Sequence, residues 1–335
     1  MTKQKTIRDR LREIVLELRK WPMCLVIAWG GVTLLYLQFG LAASGAVYSF
    51  FHPKLDESPW ATSTEAFVQD WAVIVVVTAI LAGVFKILGI SFRSAGIVHP
   101  VNRRTMGWVL LGGLMAFGAS QIKNGLTVAI DRISPETAYK YQPQFEGDAA
   151  GGLFLNVLSA GVQEELPLVP GIIMLMLFAR VKPWMAIVLA MLARLSFHLY
   201  YGPNAIPGFL IWAFLIILIW RIAPTVWGLV LGHTFNNAVS AFNLTNPEAF
   251  ELVEPVAIIL AVIAAVVMLW VGFQGWQLLR RRGVFKSETF PTRQELFSSA
   301  AEVSDPLPET DHGDRWWPDA PESVHAELTG RRQRA

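Results

Sequence analysis

Apolar runs of membrane-spanning length recur along most of this chain, separated by short polar or basic segments. A hydrocarbon core of about 30 Å needs roughly 20 apolar residues per helix, and about eight windows meet that need. They run approximately from Cys24 to Tyr48, Trp71 to Ile90, Met106 to Ile130, Gly151 to Ala179, Trp184 to Tyr200, Ala205 to Trp220, Thr225 to Phe242 and Pro255 to Trp276. The pattern predicts an all-α fold, a polytopic integral membrane bundle of about eight transmembrane helices. Ala42 to Ala46 resembles a signal-peptide cleavage region, but the apolar stretch before it is too long and follows a charged segment. An uncleaved first helix is expected instead.

The flanks read differently from the centre. Between Thr6 and Lys20, apolar Ile7, Leu11, Ile14, Val15 and Leu18 fall at helical spacing among charges. Residues 1–21 are therefore expected to form an amphipathic segment lying on the inner membrane surface. Residues 22–279 hold the membrane domain, and 280–335, rich in Pro, Glu, Asp and Ser, read as a disordered cytoplasmic tail.

Composition sharpens this picture, because 53% hydrophobic against 16% charged residues excludes an ordinary soluble domain. The basic segments 3–20, 93–104, 180–182, 221 and 280–286 alternate with loops holding only Lys54, Arg132 and Lys140. The positive-inside bias then predicts a multi-pass cell-membrane protein with both termini cytoplasmic. A net charge of +2 without a basic stripe offers nothing to nucleic acid. The single Cys24 excludes a disulfide framework within one chain.

Candidate chemistry lies inside the apolar runs. Glu164 and Glu165 sit in the fourth window, where each ionised side chain costs about 2.5–3.5 kcal/mol at mid-bilayer even on a lenient scale. Pro167, Pro170 and Gly171 follow at once, which predicts a kinked backbone of the kind tolerated where it lines a polar site. Arg194 and His198 are four apart in the fifth window, as are His233 and Asn237 in the seventh, so each pair shares a helix face. Adjacent helical residues diverge by about 100°, so the two glutamates should have different jobs. One can act as general base toward a water shared with His198, while the other is held in an ion pair. His233 and Asn237 can donate to a developing oxyanion. The bland alternatives are a structural ion pair, an interfacial histidine and helix-to-helix hydrogen bonding. Lys123 is expected to snorkel, and Gly107, Gly112, Gly113 and Gly118 to be close-packing positions.

Glu164-Glu165, then Arg194 with His198, then His233-x-x-x-Asn237, in this order and each within its own apolar window, resemble the CPBP family of CAAX-processing and bacteriocin-processing intramembrane endopeptidases. The resemblance covers residues 151–242. It implies a peptidase acting on a membrane-associated protein or peptide in the lipid bilayer. Glu164 would be the water-activating glutamate, His198 its partner, and His233 and Asn237 the oxyanion groups. Glu165 completes the catalytic set and Arg194 supports it. Both metal-dependent and glutamate-type mechanisms occur in such proteins. No metal is certain from the sequence; a zinc set, if used, would be His198, His233 and Glu164, although no H-E-x-x-H helix is present.

Two positions depart from the family pattern: Val169 stands where it has arginine, and Arg194 where it has phenylalanine. Arg194 is therefore expected to supply the counter-charge for Glu165 from a neighbouring helix. The competing classes are a proton-coupled transporter using the same polar cluster, and a catalytically silent scaffold or immunity protein. Inverted-repeat transport is disfavoured by the lack of a matching pair of broken helices.

Overall fold

The computed structural model describes residues 23–52, 64–93, 95–98, 101–138, 149–223 and 225–281, together with 14, 15 and 18. All regular structure among the described residues is helical. In chain order the helices are α1 (Met23–Leu37), α2 (Gly40–Phe51), α3 (Thr64–Leu88), α4 (Arg103–Ile133), α5 (Ala149–Leu166), α6 (Ile173–Phe178), α7 (Pro183–Ser196), α8 (Ile206–Ile222), α9 (Val226–Thr245) and α10 (Pro247–Arg281). The expected amphipathic segment at 1–21 and the tail at 280–335 fall almost wholly outside the described residues.

Five helical segments are long and apolar enough to cross a membrane: Val68–Leu88, Thr105–Ile133, Ser159–Phe178, Pro203–Ile222 and Pro247–Gln277. A sixth arises if α1 and α2, bent by 57°, form one broken span. Two of the expected spans fall short of that description. The helix expected at 184–200 ends at Ser196 and has 14 residues, and α9, although 20 residues long, carries His233, Asn236, Asn237, Ser240 and Asn243 among its apolar positions.

The long helix α4 is the spine against which α8, α9 and α10 pack, while α5 lies between α3 and α9. Glycine makes the closest of these contacts possible. A Cβ on Gly228 would come within 3.0 Å of both the Gly112 Cα and the Val109 carbonyl oxygen, and one on Gly232 would overlap the Gly113 carbonyl and lie 2.6 Å from the Ala116 Cβ. Gly118 is pressed in the same way against the Ala264 carbonyl of α10. Of the four glycines expected to pack closely, only Gly107 faces open space. Such small-residue seams are the usual means of association between helices in lipid, where burial of apolar area drives little.

The expected kink after the glutamates takes another form. Pro167–Ile172 is a π-helical turn that joins α5 to α6, with Pro167 and Pro170 both buried in it. Proline has no amide to offer the carbonyl one turn back, and widening the turn absorbs that loss while the helix continues. Its glycine admits neighbours: a Cβ on Gly171 would meet Leu35 of α1 at 3.0 Å and Leu81 of α3 at 3.4 Å. The widened turn is thus clamped from two sides.

Gly232→Ala is expected to destabilise the protein by about 1–3 kcal/mol, because the added methyl forces α4 and α9 apart. Gly107→Ala, with nothing within 4 Å of the new methyl, should leave stability unchanged. Thermal unfolding of both variants in the same detergent checks the pair.

Candidate functional site

Three helices bring their polar groups to one place. Glu165, near the end of α5, is fully buried. Arg194, from α7, meets it with both ends of its guanidinium, Nη1 donating to Oε1 at 2.9 Å and Nη2 to Oε2 at 2.8 Å. His233, from α9, donates its Nδ1 proton to the same Oε1 at 2.8 Å. A carboxylate accepting three charge-assisted or imidazole hydrogen bonds has three of its four lone-pair sites occupied and its geometry fixed. Arg194 thus reaches Glu165 from a neighbouring helix, and nothing in this arrangement leaves Glu165 free to accept a substrate proton.

Glu164 has the opposite surroundings. Its Oε2 is buried without a hydrogen-bond partner and stands 3.9 Å from His198 Nε2. The Glu164 side chain keeps 16% exposure against none for Glu165, although the Oε2 that faces His198 is itself buried. The two adjacent acids therefore differ in the way their divergent directions on the helix require.

His198 lies just beyond the end of α7, in a turn whose backbone bonds run from His198 to Leu195 and from Tyr201 to His198. Its Nδ1 donates to the Arg194 carbonyl at 2.9 Å. A carbonyl can only accept, so this bond fixes the Nδ1–H tautomer and leaves the Nε2 lone pair toward Glu164. Phe197, Phe209 and Trp212 surround the imidazole at ring-centroid distances of 4.5, 4.6 and 5.8 Å, and Phe39 stacks on Phe197 from behind at 4.5 Å. Tyr36 hydrogen-bonds Ser196, tying α1 to the same turn.

The closeness of α5 to α9 rests on Gly161, one turn before the glutamates. A Cβ there would overlap the Thr234 hydroxyl and lie 2.8 Å from the Val230 carbonyl. That approach is what lets His233 reach Glu165.

Asn237 is not joined to this cluster. It is half-buried and accepts a hydrogen bond from Asn236 at 3.3 Å, while Asn236 itself accepts from Gln121 of α4 at 3.0 Å. Two residues enter that spacing did not single out. Trp212 of α8 packs edge-on against His233 at 5.4 Å and carries the Arg194 guanidinium over its ring at 4.6 Å. Lys123 of α4, expected to snorkel, instead turns its ammonium onto the rings of Phe209, Trp212 and Tyr201 at 4.5, 5.4 and 5.8 Å. Neither residue belongs to a four-residue pair; only the rarity of an intramembrane cation pointed to Lys123.

The residues do not fit zinc. Among the described residues no three His, Cys, Asp or Glu side chains are placed to share a metal ion, and His233 is engaged with Glu165 rather than turned toward Glu164 and His198.

Arg194→Met is expected to cost about 3–5 kcal/mol, since it strands the Glu165 charge in the interior. Adding Glu165→Gln to that variant should recover at least half of the loss, because the remaining groups are neutral. Chemical or thermal unfolding of the single and double variants in detergent measures both effects. Gly161→Val should separate α5 from α9 and, by breaking the His233 contact, lower stability while leaving the Arg194 pair in place.

The chain matches no family model, no curated protein and no solved structure.

Proposed function

We propose that this chain is an intramembrane endopeptidase of the CPBP type, hydrolysing a peptide bond of a membrane-associated protein or peptide. The observation that carries the reading is the placement of a Glu164 carboxylate oxygen without a hydrogen-bond partner 3.9 Å from His198 Nε2. Two acceptors facing each other at that separation suit the two O–H groups of one water molecule. Glu164 takes a proton from this water as its oxygen bonds to the scissile carbonyl carbon, and the carbonyl π pair moves onto oxygen. Collapse of that adduct breaks the C–N bond, and the departing amine takes up the proton that Glu164 returns. His198 orients the water. Glu165 stays charged and immobile, setting the position of α7 and α9 around the reacting centre.

The membrane topology that goes with this reading has about eight spans, with α7 and α9 crossing alongside the apolar helices and both termini cytoplasmic. The turn after α7 extends its 14 residues toward the bilayer surface, and the polar face of α9 is covered by α4 and α5. No step passes through a metal ion.

Purified protein in nanodiscs is expected to cleave membrane-presented peptides, and Glu164→Gln and His198→Ala should each abolish product while remaining folded. Chelator should leave the wild-type rate unchanged. If a broad peptide library stays intact and the same variants alter proton or solute flux instead, a transporter replaces the peptidase.

A further inference from the structure

We propose that Lys123 and Trp212 are the oxyanion-binding groups of this site, a proposal that rests on the peptidase reading and concerns where its negative charge goes. Attack of water on a peptide carbonyl leaves a full charge on the former carbonyl oxygen, and stabilising it requires donors that are not already engaged. The donors around Glu164 can be taken one by one. Both Nη groups of Arg194 are directed to Glu165. His198 Nδ1 is bonded to the Arg194 carbonyl and its Nε2 faces Glu164. His233 Nδ1 is held by Glu165. Asn237 accepts from Asn236 through its Oδ1 and makes no hydrogen bond to Glu165, Arg194, His198 or His233.

Two donors remain. The Trp212 indole is 2% exposed and its Nε1 is buried without a hydrogen-bond partner, which a protein interior tolerates badly unless something else completes the bond. Trp212 also lies between the two imidazoles, edge-on to His198 at 5.8 Å and to His233 at 5.4 Å. The Lys123 ammonium makes no hydrogen bond or ion pair to another described residue. Its charge is held instead by the faces of Phe209, Trp212 and Tyr201. A ring face attracts the charge and does not occupy an N–H group as a carboxylate would. The position of this lysine is set by the backbone: a Cβ on Gly208 of α8 would lie 2.9 Å from the Lys123 carbonyl, so α4 and α8 touch at this residue. Lys123 and His198 share the rings of Phe209 and Trp212 as neighbours.

The resemblance assigns oxyanion stabilisation to His233 and Asn237. In this chain the first is engaged with Glu165 and the second stands apart, and a fixed cation beside an unpartnered indole N–H takes over the task.

The test compares Lys123→Met and Trp212→Phe with wild type in nanodiscs, measuring kcat and KM separately on a cleavable membrane-presented peptide. The affinity of a phosphinate analogue of the same peptide is measured alongside. The phenylalanine keeps an aromatic ring at the position that packs on both histidines, smaller than the indole and without its N–H. Lys123→Met is expected to lower kcat by about 100-fold or more with KM within about threefold, and Trp212→Phe to lower kcat by at least about 10-fold. Phosphinate affinity should fall in parallel with kcat, a change that a merely structural role would not produce in proteins whose melting temperatures match wild type. Both variants keeping kcat within about threefold of wild type, or losing only KM, would overturn this proposal while leaving the peptidase reading intact. A wild type that cleaves no peptide overturns both.

Discussion

The Arg194–Glu165 pair is the interaction on which the rest of this structure depends. A carboxylate at this depth has no water to turn to, and its charge is tolerable only if a partner of opposite sign arrives in good geometry. The planar fork of arginine supplies that geometry, meeting both oxygens at 2.8–2.9 Å, and the His233 proton occupies one of the lone pairs left over. One fully buried side chain thereby links α5, α7 and α9. Because Arg194 and His233 are both directed to Glu165, Oε2 of Glu164 one residue earlier is left without a hydrogen-bond partner. The division of labour between adjacent acids follows from the pair and from the turn of the helix.

Such a junction is possible only where backbones come close. The reach of His233 toward Glu165 is short, and a methyl group at Gly161 would fill the space that α9 enters. On its opposite side α9 is drawn against α4 through Gly228 and Gly232. A helix pressed between two neighbours in this way cannot rotate without losing contacts on both faces. The polar groups on α9 are therefore held at fixed angles by glycine seams that carry no chemistry themselves. The π-helical turn after Glu165 serves a similar purpose on α5. It carries two prolines through the interior without ending the helix, and the helices clamped on it, α1 and α3, hold the segment that follows the glutamates.

Much of this was legible in the sequence, and the reasons differ from residue to residue. Glu164 and Glu165 were conspicuous because charges in an apolar run are costly, and the prolines because they interrupt one. The four-residue spacing of Arg194 and His198 was visible, although the helix stops at Ser196 and His198 reaches the Arg194 carbonyl from a turn rather than from the next turn of a helix. Spacing alone does not distinguish those two cases, because both bring the residues together. The π-helical turn was equally hidden, since proline announces a missing amide and says nothing about whether the chain bends or widens. Asn237 shows the limit of a shared face: its neighbour Asn236 points to α4 and is met by Gln121, a partner more than one hundred positions away in the chain. Trp212 and Lys123 were missed for a related reason. A tryptophan in an apolar helix looks like any lipid-facing ring, and a lone lysine looks like a snorkelling one, until the packing of α4 on α8 at Gly208 sets the ammonium over three aromatic faces.

The place of the arginine on α7 follows from the same packing. Val169 is 2% exposed in the widened turn between α5 and α6, surrounded by apolar neighbours of the core. A guanidinium there would have to share Glu165 with Arg194, and Glu165 already accepts from both Nη groups and from His233. A second arginine would be an uncompensated charge in the interior, so the cation can occupy one position or the other. With it on α7, the formal charges of Glu164, Glu165, Arg194 and Lys123 cancel when the histidines are neutral. A site that is neutral as a whole is one that a membrane interior can hold together. Its separate charges are held apart, with Arg194 on Glu165 and Lys123 over the rings of Phe209, Trp212 and Tyr201.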